Sequence, residues 1–492
     1  MRHGPTLPIK LDSASNGEYA PVPVSPGIAL VRDIAAARIT ANARRAGVRR
    51  RDFMTSLCGA ATTLLALDEH TGGRARGGAF VLPPEAAFEP EAAAAAIGGD
   101  DFIFDIQTHM IDPAGAGRRT AAPALVGMLS RLRAAVGLPP RKCEAADELV
   151  CYDAEHLVKE VFLDSDTDMA VLSFAPAWPV ESLVSMQEAA RVRELSAALG
   201  HGRRLLLHAM VVPNAPCLDE QLARMEQVHQ EYGISAWKVY PQWAPPGRTG
   251  FWLDDPEVFV PVIEQARRLG VKIICAHKGL PFAGHDPRYA ACHDVGRVAR
   301  MYPDVTFIVY HSGFELSRIE GPYDPCAADR GVNSLIQSLI DNGIGPDQNV
   351  YAELGSTWRM LMREPTQAAH TLGKLLRYVG ERRVLWGTDS IWYGSPQDQI
   401  QAFRAFQIGN KLQELYEYPA LTREIKAGVF GLNAAPVYGV DPADIRRTAQ
   451  VDPLGKLKAI YREDPQPSFA TYGPRNAVEW RRYLARKGDD RP

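Results

Sequence analysis

The chain of 492 residues has no uninterrupted apolar run near the roughly 20 residues that a membrane span requires. Its seven cysteines are scattered without a Cys-x-x-Cys pair, which argues against a cysteine zinc site and a disulfide framework. A formal net charge of −3, with no Lys/Arg-rich run typical of a groove-binding element, gives no electrostatic basis for binding nucleic acid. The sequence therefore points away from membranes, nucleic acids and cysteine-bound metals.

The first 98 residues differ in composition from the rest and are predicted to be an N-terminal extension. Residues 1–45 are rich in Pro, Gly, Ser and Ala without a sustained apolar period, which predicts a disordered or loosely attached stretch. Arg50 and Arg51 then precede a mildly apolar run over residues 55–67, an arrangement that resembles a twin-arginine signal. We favour a periplasmic location by that route over a cytoplasmic one; the alternative is a surface amphipathic helix.

From Asp101 onward, short β-branched runs alternate with helical stretches, a pattern typical of β/α units around a parallel sheet. Eight runs have the continuous apolar character of strands that are buried on both faces. They are residues 102–107, 169–174, 204–211, 236–240, 271–276, 305–310, 349–353 and 384–387. Eight such units, with no Gly-x-Gly-x-x-Gly after the first, favour a closed (β/α)₈ TIM barrel over a doubly wound dinucleotide-binding sheet. We place the barrel at residues 99–440 and a C-terminal extension at 441–492.

The connections between these strands include amphipathic helices and one long insertion. Helices are predicted at residues 219–232, 256–269, 332–341 and 366–379. The stretch between the first two strands, from about Met110 to Asp168, is too long for an ordinary connection. It is predicted to carry helices at 125–136 and 153–162, and we interpret it as a lid over the barrel mouth.

Polar side chains follow several of the predicted strands, where a barrel carries its active site. Period-two alternation puts Gln107 and His109 on one face at the end of the first strand. The fifth strand ends at His277, the sixth at His311, and the eighth runs into Asp389. Each residue alone is more often structural, but their joint placement predicts one site. Imidazole and carboxylate are natural ligands of zinc or another divalent first-row metal.

Seven short stretches occur in an order that carries a family resemblance. They are FDIQTH (104–109), WKVYP (237–241), CAHKG (275–279), VYHSG (309–313), YAELG (351–355), LWGTD (385–389) and GLNAA (431–435). Over about residues 101–440 the chain resembles the amidohydrolase superfamily, in particular the amidohydrolase-related branch that includes aminocarboxymuconate semialdehyde decarboxylase. The resemblance implies a TIM barrel with a metal-centred site.

The resemblance also implies a role for each polar residue at the strand ends. The family's first strand usually ends in His-x-His, which places metal ligands at Gln107 and His109. His277 and Asp389 would complete the ligand set, and Asp389 in the hydrolases also takes a proton from water. His311 would polarise or protonate the substrate. Gln107 departs from the pattern, because an amide oxygen is a weak, neutral ligand compared with imidazole.

Three functions stay open at this point. The first is a metal-dependent hydrolase that acts on an ester, lactone or amide bond through a metal-activated water, with one divalent ion, zinc being favoured over manganese. The second is a decarboxylase or hydratase of an aromatic or unsaturated carboxylic acid at the same site. The third is a metal-free binding barrel. Lys238, which closes the fourth strand, is interpreted as the anchor of a substrate anion, with a structural salt bridge as the alternative. We expect a small-molecule substrate, no stable membrane span and no nucleic acid, and we leave a homo-oligomer open.

Overall fold

Eight parallel strands follow one another around a barrel in the computed structural model, which describes residues 5–72, 77–112, 152–178, 180, 183–199 and 204–487. The strands of this part of the chain are β1 Gly78–Phe80, β2 Phe104–Thr108, β3 Met169–Leu172, β4 Leu205–Met210, β5 Ala236–Val239, β6 Ile273–His277, β7 Thr306–Tyr310, β8 Val350–Glu353, β9 Val384–Leu385 and β10 Phe406–Ile408. Each of β2 to β8 pairs in parallel with the next strand along the chain, whereas β1 and β10 form a separate antiparallel pair.

The barrel closes between its first and last strands. The backbone N–H of Ile106 in β2 donates to the carbonyl of Trp386, directly after β9, at 3.0 Å. A parallel bridge between Thr108 and Ser390 continues this contact towards the barrel mouth. All eight predicted strands overlap β2 to β9, and the predicted (β/α)₈ barrel is confirmed. Every side chain of β2, β3, β5 and β8 is buried, as expected for strands with the barrel interior on one side and helices on the other.

Helices surround the barrel and extend it at both ends. Those of the described residues are α1 Pro26–Arg45, α2 Arg50–Thr55, α3 Leu57–Thr71, α4 Pro90–Ile97, α5 Ala154–Leu157, α6 Met186–Leu199, α7 Leu218–Tyr232, α8 Val260–Arg268, α9 Val295–Met301, α10 Val332–Asp341, α11 Thr357–Leu361, α12 Pro365–Tyr378, α13 Gln397–Ala405, α14 Asn410–Tyr416, α15 Arg423–Ala427, α16 Ala434–Val437, α17 Pro442–Val451, α18 Pro453–Glu463 and α19 Ala477–Lys487. None of them is long and apolar enough to cross a bilayer.

The amphipathic helices predicted between the later strands are present, and one of them starts late. Helices α7, α10 and α12 match the predicted ranges to within a residue at each end. The helix predicted from Pro256 begins at Val260 instead, because Asp255 Oδ1 accepts hydrogen bonds from the backbone N–H groups of Glu257 and Val258, each at 2.9 Å, in a turn before it. The predicted helix at 125–136 lies outside the described residues. The one at 153–162 is present as α5 and a π-helical turn at Val158–Leu163.

The prediction that residues 1–45 are disordered or loosely attached is wrong for residues 5–45. Residues 26–45 form α1, which packs on α3 with a buried stripe of apolar side chains. Residues 5–25, here called the N-terminal segment, form no helix or strand, yet residues 7–11 and 13–19 are buried. Lys10 Nζ is 3.0 Å from Asp398 Oδ1 in α13, an ion pair with both side chains at most 5% exposed. The segment is therefore an integral part of the fold.

Residues 49–67, which resemble a twin-arginine signal, are folded into the same helical layer. Helix α3 contributes the fully buried Leu64 and Leu67 to the core, while Arg50 and Arg51 in α2 are exposed. The surface-helix alternative expected one amphipathic helix after a basic turn, and the structure has two helices divided at Ser56, whose side chain caps α3. Export of the chain stays a prediction.

The C-terminal extension returns to the barrel mouth. After α17 and α18, the backbone N–H groups of Tyr472 and Gly473 donate to the carbonyl of Trp392, at 2.9 and 2.7 Å. Tyr483 in α19 is buried at 1% exposure and lies edge-on to Trp392. Since Trp392 follows β9 by a few residues, this extension lies beside the carboxyl ends of the strands.

Candidate functional site

The predicted site residues lie at the carboxyl ends of four barrel strands, where a TIM barrel places its chemistry. Gln107 is in β2 and His109 follows it, His277 is the last residue of β6, His311 follows β7, and Asp389 follows β9. All five side chains are at most 3% exposed. The hydrogen bonds among them form one connected cluster.

Asp389, His109 and Gln107 form one half of this cluster. His109 Nε2 is 3.0 Å from Asp389 Oδ1, and Gln107 Nε2 donates to the same oxygen at 3.1 Å. Gln107 Nε2 also lies 3.4 Å from His109 Nε2. The amide nitrogen of Gln107 therefore faces the cluster, and a half-turn of the amide would present its oxygen there instead.

The second oxygen of Asp389 is held by two further donors. Ser356 Oγ donates to Asp389 Oδ2 at 2.5 Å, and Asn16 Nδ2 donates to it at 2.8 Å. Burial raises the pKa of Asp389, but the hydrogen bond and charge of His109 outweigh burial and hold that pKa well below its ordinary value. Asp389 is therefore an ionised carboxylate with both oxygens engaged.

His311 and His277 form the other half. The carbonyl of Gly355 can only accept a hydrogen bond, so its 2.6 Å contact with His311 Nδ1 places the proton on that nitrogen. His311 Nε2 then carries a lone pair, 3.2 Å from His277 Nδ1 and 3.5 Å from Gln107 Nε2. Burial lowers the pKa of His311 to about 4, and that of His277 well below its ordinary value. Both imidazoles are neutral near pH 7, the form that binds metals and accepts protons.

The backbone around these side chains adopts an uncommon conformation. His311, Ser312, Ser356 and Asp389 have φ angles of 63°, 54°, 54° and 59°, in the left-handed region that non-glycine residues rarely occupy. Such a conformation costs on the order of 1–3 kcal/mol per residue and persists only where the surroundings fix it. The four positions follow β7, β8 and β9 around the cluster, which supports a functional reason for the strain.

Glu353, at the end of β8, positions His311 through the backbone. Its Oε2 accepts a hydrogen bond from the His311 backbone N–H at 3.0 Å, and its Oε1 accepts one from Gly355 N–H. A Cβ at Gly355 would lie 2.1 Å from Gln107 Oε1, and one at Gly387 would lie 1.7 Å from Glu353 Oε1. Both glycines are therefore needed because site side chains fill the space. Glu353 is therefore a positioning residue for His311.

Two residues of the N-terminal segment, Asn16 and Glu18, also belong to the cluster, and the sequence analysis did not include them. Asn16 bonds Asp389, as described, and its Nδ2 also donates to Glu18 Oε2 at 2.6 Å. Glu18 Oε1 lies 3.7 Å from His277 Nδ1. In the part of the chain that the structure describes, one group of three His, Cys, Asp or Glu side chains has its ligand atoms all within 4.8 Å of one another, and it is Glu18, His277 and His311. The predicted trio of His109, His277 and Asp389 is connected through Gln107 and His311 rather than in this compact way.

Lys238 is fully buried in β5, beside the cluster. Its Nζ lies 3.3 Å from the centre of the Tyr310 ring and 4.9 Å from that of Tyr240, and it has no hydrogen-bond partner within the described residues. Burial lowers the pKa of Lys238 to about 8. The structural salt bridge that was the alternative for Lys238 is not found among the described residues.

The arrangement of donors fits a divalent cation. Two atoms bound to one ion at about 2.1 Å lie about 3 to 4 Å apart, depending on the angle between the bonds. The pairs His109–Asp389 and His277–Glu18 have donor distances of 3.0 and 3.7 Å. Among the described residues, four buried polar atoms of the site lack a hydrogen-bond partner: Gln107 Oε1, His109 Nδ1, His277 Nε2 and Lys238 Nζ. Neutral imidazoles and carboxylates are also the ligand types that zinc and manganese take.

No family model matches the chain. No curated protein matches it either. Among solved structures, it is similar to an uncharacterised TIM-barrel protein from Bordetella bronchiseptica, at 16% identity and a TM-score of 0.42 over 68% of this chain and 99% of that one. It is also similar to a 2,6-dihydroxybenzoate decarboxylase from Rhizobium, at 12% identity and a TM-score of 0.37 over 69% of this chain and 99% of that one. A uronate isomerase from Bacillus halodurans is similar at 13% identity and a TM-score of 0.38, over 71% of this chain and 96% of that one. Because these sequence identities and TM-scores are low, the fold assignment depends on the strand pairing of this chain. The family resemblance depends on its sequence motifs.

Proposed function

We propose that the chain is a metal-dependent enzyme that hydrolyses an ester, lactone or amide bond of a small molecule. The observation that carries the proposal is the cluster of three imidazoles and the Asp389 carboxylate at the carboxyl ends of the barrel strands, joined by the Glu18 carboxylate, in which neighbouring donor atoms lie 3.0 to 3.7 Å apart. His109, His277 and Asp389 would hold one ion, with Gln107 as a weaker, neutral donor. Such an ion, with zinc favoured, supplies a water of lowered pKa and polarises a carbonyl group.

His311 is the residue best placed to move a proton. Its Nδ1–H is fixed on the Gly355 carbonyl, so the lone pair of Nε2 is available to accept a proton and later to return it. Asp389 is less suited to that step, because Ser356 and Asn16 donate to its Oδ2, and its Oδ1, beside His109, would face the ion. In this proposal Asp389 therefore binds the ion.

The second candidate function is decarboxylation of a small carboxylic acid, and Lys238 favours it. A buried ammonium group without a hydrogen-bond partner among the described residues is costly unless it meets an anion. A substrate carboxylate at Lys238 would provide that partner. Hydrolysis and decarboxylation use the same donors, so the products have to distinguish them.

The test is an assay of the purified full-length chain supplied with zinc or manganese. A panel of lactones, esters, amides and aromatic carboxylic acids is followed by two readouts, acid release and carbon dioxide release. Acid release without carbon dioxide supports the hydrolase, and carbon dioxide release supports the second candidate. Elemental analysis should find about one ion per chain. A chain that binds no ion and turns over no substrate contradicts both functions and favours the metal-free binding barrel.

A further inference from the structure

The N-terminal segment reaches into the side-chain cluster from outside the barrel, and its two polar side chains there, Asn16 and Glu18, lie two residues apart. Asn16 Nδ2 donates to Asp389 Oδ2 at 2.8 Å, on one side of the cluster. Glu18 Oε1 lies 3.7 Å from His277 Nδ1, on the other side. Both residues are at most 8% exposed. The segment therefore spans the cluster instead of touching it at one point.

We infer that Glu18 is a ligand of the divalent ion, supplied by the N-terminal segment beside His277. The inference rests on the proposed function, since it assumes that the cluster binds an ion. It goes beyond that function because it adds a carboxylate from outside the barrel to the ligand set.

The position of the Glu18 carboxylate suits an ion better than a direct contact with histidine. The distance of 3.7 Å to His277 Nδ1 is too long for a hydrogen bond, but two ligands of one ion can be that far apart. Together with His311 the two residues form the compact group whose ligand atoms are all within 4.8 Å. The carboxylate is already oriented, because Asn16 Nδ2 donates to its other oxygen at 2.6 Å.

The chemistry of the cluster also calls for another charged ligand. Gln107 offers an ion one neutral amide oxygen and contributes no charge. With Asp389 as the only other carboxylate among the proposed ligands, a divalent ion in a buried site would keep a net positive charge. A Glu18 carboxylate in the ligand set would complete the neutralisation.

The backbone of the segment is built to hold Glu18 in this place. Gly17 has a φ of +89°, and a Cβ on it would lie 2.2 Å from Tyr483 Cε1, so glycine is required there on two counts. Trp480 Nε1 donates to the Gly17 carbonyl at 3.2 Å, and Ala283 N–H donates to the Glu18 carbonyl at 3.1 Å. The turn that presents Glu18 is thus fixed from both sides.

The test compares metal affinity among full-length variants after removal of metal by a chelator. Zn²⁺ and, separately, Mn²⁺ are titrated in competition with a chromophoric chelator. Glu18→Gln removes the charge at constant size, and we expect it to weaken ion binding by at least about 10- to 100-fold, the range for losing a residue that only orients a metal ligand. Glu85→Gln, at an exposed position of the N-terminal extension, is the matched control and should bind like the unaltered chain.

A second variant, Gly17→Ala, keeps the Glu18 carboxylate but should shift its position. Gly17→Ala should displace the segment against Tyr483 and weaken ion binding as well, while thermal unfolding of the metal-free protein shows whether each variant is folded. Unchanged affinity in a folded Glu18→Gln overturns the inference, even if activity is lost, because Glu18 would then act on a proton or a substrate. Absence of ion binding in the unaltered chain would instead contradict the proposed function itself.

Discussion

His311 combines three features at the scale of a single residue: a left-handed backbone, a fixed tautomer and a lone pair that faces the cluster. Because we assign it to proton transfer, His311→Ala should keep the ion while kcat falls about 10²–10⁴-fold. Steady-state kinetics and elemental analysis of the same preparations measure both quantities. The exposed His293 provides the control, and His293→Ala should change neither. Loss of the ion together with activity would make His311 a ligand.

Lys238 should give the enzyme a pH dependence in substrate binding. Its pKa of about 8 means that it loses its charge as the pH rises through 8, whereas an ordinary lysine keeps its charge to about pH 10. KM for a carboxylate-bearing substrate should therefore rise above about pH 8. Lys238→Met should raise KM about 10- to 100-fold at neutral pH, as for the loss of a charged hydrogen bond, and remove that rise.

The control for Lys238 is Lys272→Met, which removes an exposed lysine that pairs with Asp304. It should leave KM and its pH dependence unaltered. An unchanged KM in Lys238→Met would contradict the role as anion anchor and leave Lys238 as a buried cation stabilised by the Tyr310 ring.

At the scale of elements, a buried ion pair is one of the anchors of the N-terminal segment. Lys10 Nζ contacts Asp398 Oδ1 at 3.0 Å and donates to the Ser395 carbonyl at 2.6 Å. Lys10→Met leaves the Asp398 carboxylate buried without its cation, and we expect the free energy of unfolding to fall by about 3–5 kcal/mol. Denaturant titration measures this change.

The double variant Lys10→Met with Asp398→Asn should recover part of the lost free energy of unfolding, because it leaves no buried carboxylate without a cation. Lys411→Met removes an exposed lysine and should be neutral. Equal stability of Lys10→Met and the unaltered chain would show that the segment is not anchored by this pair.

The barrel was predictable from sequence because each strand is buried on both faces and so reads as a continuous apolar run. The strand-end residues were predictable for a related reason: the carboxyl ends of all strands meet at one mouth, so Gln107, His277 and Asp389 had to be neighbours whatever the details. Which of these side chains contact each other was not predictable, because that depends on side-chain geometry. His277 lies beside His311 and Glu18 rather than beside His109.

The N-terminal segment and α1 were missed although both carry a signal. Leu7, Ile9 and Leu11 alternate and are at most 3% exposed, but a run of five residues is too short to distinguish from a loop. The buried face of α1 repeats every three or four residues, yet it includes alanines that also occur on its exposed face. Asn16 gave no signal at all, since its partner Asp389 is 373 residues away in sequence.

At the scale of the whole molecule, the position of the predicted export signal matters for the site. The predicted signal at about residues 49–67 follows the segment that carries Asn16 and Glu18. Cleavage after the signal would therefore remove both side chains. If the chain is exported, we expect it to keep its N-terminus, and mass spectrometry of the exported protein tests this directly.

Export itself is tested with residues 1–80 fused to a reporter that works only outside the cytoplasm. The fusion should be exported, and Arg50→Lys with Arg51→Lys should abolish export while leaving the fold of the full chain intact, since both arginines are exposed. A fusion that stays inside the cell, or one that the lysine pair does not affect, would contradict the hypothesis.

The contacts between the two chain ends also set the order of assembly. Ser15 N–H donates to the carbonyl of Pro474, and Gly17 accepts from Trp480, 463 residues further along the chain. At a synthesis rate of about 5–20 residues per second, the N-terminal segment waits about 25 to 90 s for these partners. Until then, the segment that carries Asn16 and Glu18 lacks two of its contacts at the barrel mouth. A nascent chain stalled before residue 474 would have every strand of the barrel but a loosely held N-terminal segment, so we expect turnover of substrate only once residues 474–480 are made.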